Sequence, residues 1–114
     1  EIYTLSLHDA LPIFGAAGKN KVDLRKFMAE LAKLEIDSVL LEGGATLATS
    51  MFKEQLVDEI RLYMAPMIFG NGKSFLEGEL DIDDVSDAIR IEGMKVEKIN
   101  EDVVLSGNVK RNNA

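Results

Sequence analysis

Residues 38–52 read SVLLEGGATLATSMF. Ser38 to Leu41 is an apolar run with no polar alternation, which suits a strand covered on both faces, as in a parallel sheet between helices. Glu42, Gly43 and Gly44 follow. From Ala45 to Gln55 the spacing predicts a helix with Leu47, Ala48, Met51 and Phe52 on its buried side. A strand that passes through a glycine turn into a helix points to an α/β layered fold. It also points to a ligand. A helix start exposes backbone N–H groups, and Gly44 at the N-cap has no side chain to cover them. Those donors and the helix dipole suit a phosphate, and glycine lets the backbone approach it with no Cβ in the way. Thr46 in the first turn adds a hydroxyl. Glu42 repels a phosphate; at the carboxyl end of the strand it suits hydrogen bonds from a sugar or heterocycle. The same residues also fit a plain strand–helix turn, with Glu42 bonding nearby amides.

Upstream, FGAAGKNK (residues 14–21) is a glycine-rich basic loop. Asp23 fits an N-cap, and Leu24, Phe27, Met28, Leu31 and Leu34 follow at helical spacing. Val22 and Phe27 stand at the positions of a hydrophobic staple. Lys33 complements the negative end of the dipole, and the helix ends near Leu34-Glu35. Downstream, DEIRLYMAP alternates as a strand stopped by Pro66, with Ile60, Leu62 and Met64 on one face. Arg61 and Tyr63 on the other face read as surface or interface residues. A glycine-punctuated loop follows, then DIDDVSDA, which suits a single helical turn. Two strands follow as a hairpin, with Val103, Leu105 and Val109 on one face and Gly93 at a bulge or a strand break. The expected architecture is α/β with a mixed, mostly parallel sheet and an antiparallel C-terminal hairpin.

Composition bounds the function. The 114 residues make one domain at most, with 46% hydrophobic and 29% charged residues. There is no cysteine, hence no disulfide and no thiolate nucleophile or metal ligand. A net charge of −7 with scattered basic residues argues against a nucleic-acid partner. No apolar run approaches a membrane span. GNGKS (Gly70 to Ser74) ends like a phosphate-binding loop, but the required glycine is replaced by Met67. The carboxylates of DIDDVSD lack calcium-loop spacing. No metal site is expected.

The first thirteen residues, EIYTLSLHDALPI, resemble the conceptual translation of a widely used sequencing-library adapter. They are read as a non-native leader and set outside the fold. Taken as protein they would be a short strand, a turn and a proline. Residues 14–114 are then the C-terminal part of a single domain truncated at its N-terminus.

LLEGGATLATSMFKEQLVDEIRLYMAPMIFGNGKSFLEG (residues 40–78) resembles the reductase domain of the bifunctional riboflavin-biosynthesis deaminase/reductase. IRIEGMKVEKINEDVVLSGNV (residues 89–109) is similar to that domain's closing hairpin. The resemblance implies a dihydrofolate-reductase-like α/β/α sandwich. It implies NADPH-dependent reduction of a ribosylamino-pyrimidinedione 5′-phosphate to the ribitylamino form, by a cytoplasmic homo-oligomer acting on a small molecule. Gly43, Gly44, Ala45, Thr46, Leu47 and Ala48 would line the dinucleotide phosphates, and Glu42 would contact the substrate. The resemblance assigns no catalytic residue. The zinc-binding His and Cys residues of the deaminase domain are not in this sequence. The family usually carries glycine where Glu35 and Gln55 stand. Other readings are a different dihydrofolate-reductase-like NADPH reductase, or a non-catalytic nucleotide-binding or oligomerisation module.

Overall fold

A computed structural model describes residues 2–5, 23–42, 44–78 and 80–111. Two compact units are formed: Glu1–Leu56 with Ser74–Leu80, and Val57–Lys73 with Asp81–Ala114.

The first unit contains β1 (Ile2–Leu5), α1 (Leu24–Lys33), β2 (Ser38–Leu41) and α2 (Ala45–Lys53). Asp23 caps α1 as expected, its carboxylate accepting from the Lys26 N–H at 3.1 Å. Leu24, Phe27 and Leu31 are buried at helical spacing, Phe27 completely. Leu34, expected on this face, is 70% exposed. It is the C-cap, beyond the last helical residue, so the periodicity no longer orients it. Val22 and the loop at residues 14–21 lie outside the described residues.

Both helices end in the same way. Beyond α1, the Glu35 N–H donates to Ala32 O (3.0 Å) and the Ile36 N–H to Leu31 O (3.2 Å). Beyond α2, the Gln55 N–H donates to Phe52 O (3.0 Å) and the Leu56 N–H to Met51 O (3.0 Å). These are paired Schellman bonds, which require a left-handed residue after the cap. That residue is Glu35 (φ 61°) in one case and Gln55 (φ 56°) in the other. Gln55 therefore stands outside α2, not within it. Arg25 of α1 ion-pairs with the Glu54 carboxylate at 3.0 Å and also donates to the Glu54 carbonyl, tying α1 to the C-terminal end of α2.

The leader set outside the fold supplies β1, which pairs in parallel with β2, Ile2 opposite Ser38 and Leu5 opposite Leu41. This is the short-strand alternative for that segment. IYTL has the aromatic and β-branched residues of a strand, and β2 presents unpaired backbone groups on which such a segment can form. Val39 and Leu41 are half-buried while Ser38 and Leu40 are exposed. One face of β2 is thus covered among the described residues, where two were expected.

The second unit is an antiparallel sheet of β3 (Glu59–Met64), β5 (Asp102–Val109) and β4 (Ile91–Ile99), in the order β3-β5-β4. Among the described residues the strands form two sheets, and the parallel pairing that was expected to dominate is confined to β1 and β2. β4 and β5 form the expected antiparallel hairpin, joined by the two-residue turn Asn100-Glu101, which permits only antiparallel pairing. The acidic stretch forms one 3₁₀ turn, Val85–Asp87, capped by the Asp84 carboxylate.

Register places Ile60, Leu62 and Met64 opposite Gly107, Leu105 and Val103, so the apolar faces of the two strands coincide. The most buried side chain of the sheet, Val104 at 1% exposure, is on the other face. It lies between Tyr63 of β3 and Glu97 of β4, whose long side chains flank a small one. Gly93 does mark a bulge: pairing shifts between Glu92 and Lys95, and Gly93 has φ 60°. Opposite it, a Cβ on Gly107 would stand 2.4 Å from Ile91 Cγ2 and 3.0 Å from Glu92 O. Only glycine fits there.

Candidate functional site

The junction of β2 and α2 is built as its residues suggest. β2 ends at Leu41, and Glu42 follows with its side chain in solvent. Gly43 lies outside the described residues. Gly44 is the N-cap of α2 in a left-handed conformation (φ 79°, ψ 82°), with no side chain capping the helix. A Cβ there would meet only Leu47 Cβ, at an ordinary 3.7 Å. Backbone conformation, not lack of space, demands the glycine.

The helix itself sorts the remaining candidates. The Ala48 N–H donates to Gly44 O at 2.9 Å and is already used. Ala45, Thr46 and Leu47 are the first three helical residues, whose N–H groups have no partner within an α-helix. The Leu47 side chain is buried in the core, so only its backbone can face a ligand. Thr46 is exposed and its hydroxyl is accessible. The six positions named from resemblance thus divide: Gly44, Ala45, Thr46 and Leu47 offer backbone or hydroxyl donors, and Ala48 offers neither.

One element of this site was not anticipated. Thr49 is 5% exposed, and its hydroxyl donates to Ala45 O at 2.8 Å. Thr49 Oγ1 in turn accepts the Glu77 N–H at 2.7 Å. That N–H also lies 3.3 Å from Ala45 O. Gly78 (φ 121°) sits against Thr49: a Cβ would come within 3.3 Å of Thr49 Cγ2, closer than ordinary contact, and the positive φ itself disfavours a side chain. The segment Ser74–Leu80 is thereby fastened to the first turn of α2. The sequence signal was weak. A threonine inside a helix usually bonds its own i−4 carbonyl, and nothing in its spacing names a distant partner.

Among the described residues, no group of three or more His, Asp or Glu side chains is arranged to hold a metal ion. No helix among them is long and apolar enough to cross a membrane. Tyr63 is 58% exposed.

Comparison with known proteins follows this geometry. The family model of the RibD C-terminal domain matches residues 2–105. The 2,5-diamino-6-ribosylamino-4(3H)-pyrimidinone 5′-phosphate reductase of Methanothermobacter thermautotrophicus is 40% identical over 96 residues, 82% of this chain and 44% of that protein. The riboflavin biosynthesis protein RibD of Aquifex aeolicus is 35% identical over 83 residues, 73% of this chain and 23% of that protein. The chain therefore spans less than half the length of either relative. The structure of Acinetobacter baumannii RibD superposes with a TM-score of 0.68 at 22% identity, covering 96% of this chain and 31% of that one. At that identity the likeness speaks for the fold alone, and the fold is the dihydrofolate-reductase-like α/β type. A match to the family model over nearly the whole sequence settles the membership: the chain belongs to the RibD C-terminal domain family.

Proposed function

We propose that this chain is part of an NADPH-dependent oxidoreductase of riboflavin biosynthesis that reduces a ribosylamino-pyrimidine 5′-phosphate to its ribitylamino form. The observation that carries the reading is the uncapped left-handed Gly44 at the start of α2, two residues after the solvent-facing Glu42. The donor set fits a dinucleotide pyrophosphate: free first-turn amides, a threonine hydroxyl and a glycine that keeps side-chain bulk away. When bound, the cofactor supplies the hydride, which the sugar C1′ accepts in its ring-opened form.

The residues of this chain position the two ligands. Gly44, Ala45, Thr46 and Leu47 hold the phosphates through backbone N–H groups and the Thr46 hydroxyl. Glu42, one strand end away, accepts hydrogen bonds from substrate hydroxyl or ring N–H donors and fixes the sugar relative to the cofactor. Thr49 acts at one remove, holding Ser74–Leu80 against the same turn.

The pyrimidine is the dione, as the resemblance to the bifunctional enzyme suggests. A second reading has its own support: the relative at 40% identity is named for the 2,5-diamino-pyrimidinone. The two substrates differ at ring position 2, oxo against amino. A homo-oligomeric, cytoplasmic enzyme is part of the same proposal.

The test grafts residues 22–110 into the matching segment of the Methanothermobacter reductase. NADPH oxidation is then followed with each pyrimidine. Saturable, substrate-dependent oxidation supports the proposal, and the preferred pyrimidine decides between the two readings. A folded graft that binds NADPH without turnover would favour a nucleotide-binding module instead.

A further inference from the structure

The stretch GNGKS, which fails as a phosphate loop, carries a different chemistry. Asn71 and Gly72 are both exposed, in a segment (residues 65–74) with no helix or strand. Among the described residues, none forms a hydrogen bond to either. A Cβ built on Gly72 meets nothing within 4 Å, and the same holds at Gly70, where φ is 87°. The Asn71 side chain and the Gly72 N–H are therefore sterically free to meet.

We propose that Asn71-Gly72 is a site of spontaneous deamidation in the folded protein. The Gly72 backbone nitrogen, on losing its proton to base, attacks Asn71 Cγ. The new N–Cγ bond closes a five-membered succinimide as the Cγ–Nδ2 bond breaks, and Nδ2 leaves as ammonia with the added proton. Water then opens the ring at either carbonyl, giving aspartate or isoaspartate. No oxidant or reductant takes part. Glycine favours the attack because no side chain shields its nitrogen and its backbone turns freely. The loop offers no ladder bond that would have to break first.

The product changes the loop in two ways. A carboxylate appears two residues before Lys73, the one charged residue of Gly70 to Ser74. In the isoaspartate product the main chain also gains a methylene, directly before the segment fastened to Thr49. Asn100 and Asn108 supply internal comparisons. Asn100 precedes Glu101 in the β4–β5 turn, and Asn108 precedes Val109 within β5. In both, the following nitrogen carries a bulkier residue, and Asn108 is held in the sheet.

The purified chain is incubated in mildly alkaline buffer, with and without urea, with native folding followed by circular dichroism. Amide-to-acid conversion is read at each asparagine by peptide mass spectrometry, and isoaspartate by isoaspartyl methyltransferase labelling. Asn71 is expected to convert roughly tenfold or more faster than Asn100 and Asn108, at a rate in native buffer within a few-fold of that in urea. Gly72→Ala is expected to slow conversion roughly tenfold. The proposal is overturned if folding slows Asn71 by more than roughly tenfold, or if Gly72→Ala leaves its rate unchanged.

Discussion

Glu35 and Gln55 each hold a left-handed conformation that glycine adopts without penalty. The surrounding Schellman bonds over-determine it, so the cost is borne and not relieved. Glu35→Gly and Gln55→Gly are each expected to stabilise the chain by about 1 kcal/mol. The measurement is a urea titration, where the midpoint rises and the slope stays constant. At the proposed ligand site the same dihedral logic runs the other way. Gly44→Val places a branched side chain in a left-handed N-cap and is expected to weaken NADPH binding, read by fluorescence titration of a variant checked for folding. Glu42→Gln keeps shape and loses charge. It is expected to spare cofactor binding and to lower kcat/KM roughly tenfold to a hundredfold, because a hydrogen bond to a charged group is worth about 1.5–3 kcal/mol. Normal NADPH binding by a folded Gly44→Val protein would leave the glycines with a purely local role in the turn.

Among the elements, those with strong internal periodicity were legible from sequence. Asp23 and the spacing of Leu24, Phe27 and Leu31 define α1 with no outside help, and the Gly44 junction could be read as an uncapped helix start. What escaped depended on partners distant in the chain. Leu34 fell out of phase because the helix stopped one residue before it. Val104 is buried in the middle strand beside Tyr63 and Glu97, which only the register of two other strands brings alongside. Thr49 became part of the site through Glu77, 28 residues away. Thr49→Val is expected to cost about 1–2 kcal/mol and to speed amide exchange at Glu77, while Thr49→Ser restores protection. In the antiparallel sheet, Gly107→Ala is expected to cost about 1–3 kcal/mol, since Ile91 and the Glu92 carbonyl must both give way. Thermal melts of each variant against the parent check these figures.

At the scale of the whole molecule, the leader presents a definite test. Its resemblance to an adapter translation and its pairing with β2 make different demands on stability. A four-residue, two-stranded parallel pairing is marginal by itself. We therefore propose that residues 1–13 are dispensable, and expect their deletion to leave the unfolding transition cooperative, with a stability change below about 1 kcal/mol. A loss of several kcal/mol, the size of a core truncation, would make the leader part of the fold.

The fastening of Ser74–Leu80 to α2 has a consequence for how the chain is made. The first unit is not continuous in sequence: residues 57–73 must be synthesised before its last segment exists. Thr49 waits for a partner 28 residues downstream. At about 5–20 residues per second, translation leaves the α2 first turn without that partner for roughly 1–6 s. During that interval the hydroxyl oxygen accepts from water in place of the Glu77 N–H, while its own proton stays on the Ala45 carbonyl. The nascent helix is born with its N-terminal end open, and its back is closed only when the ribosome has passed through β3.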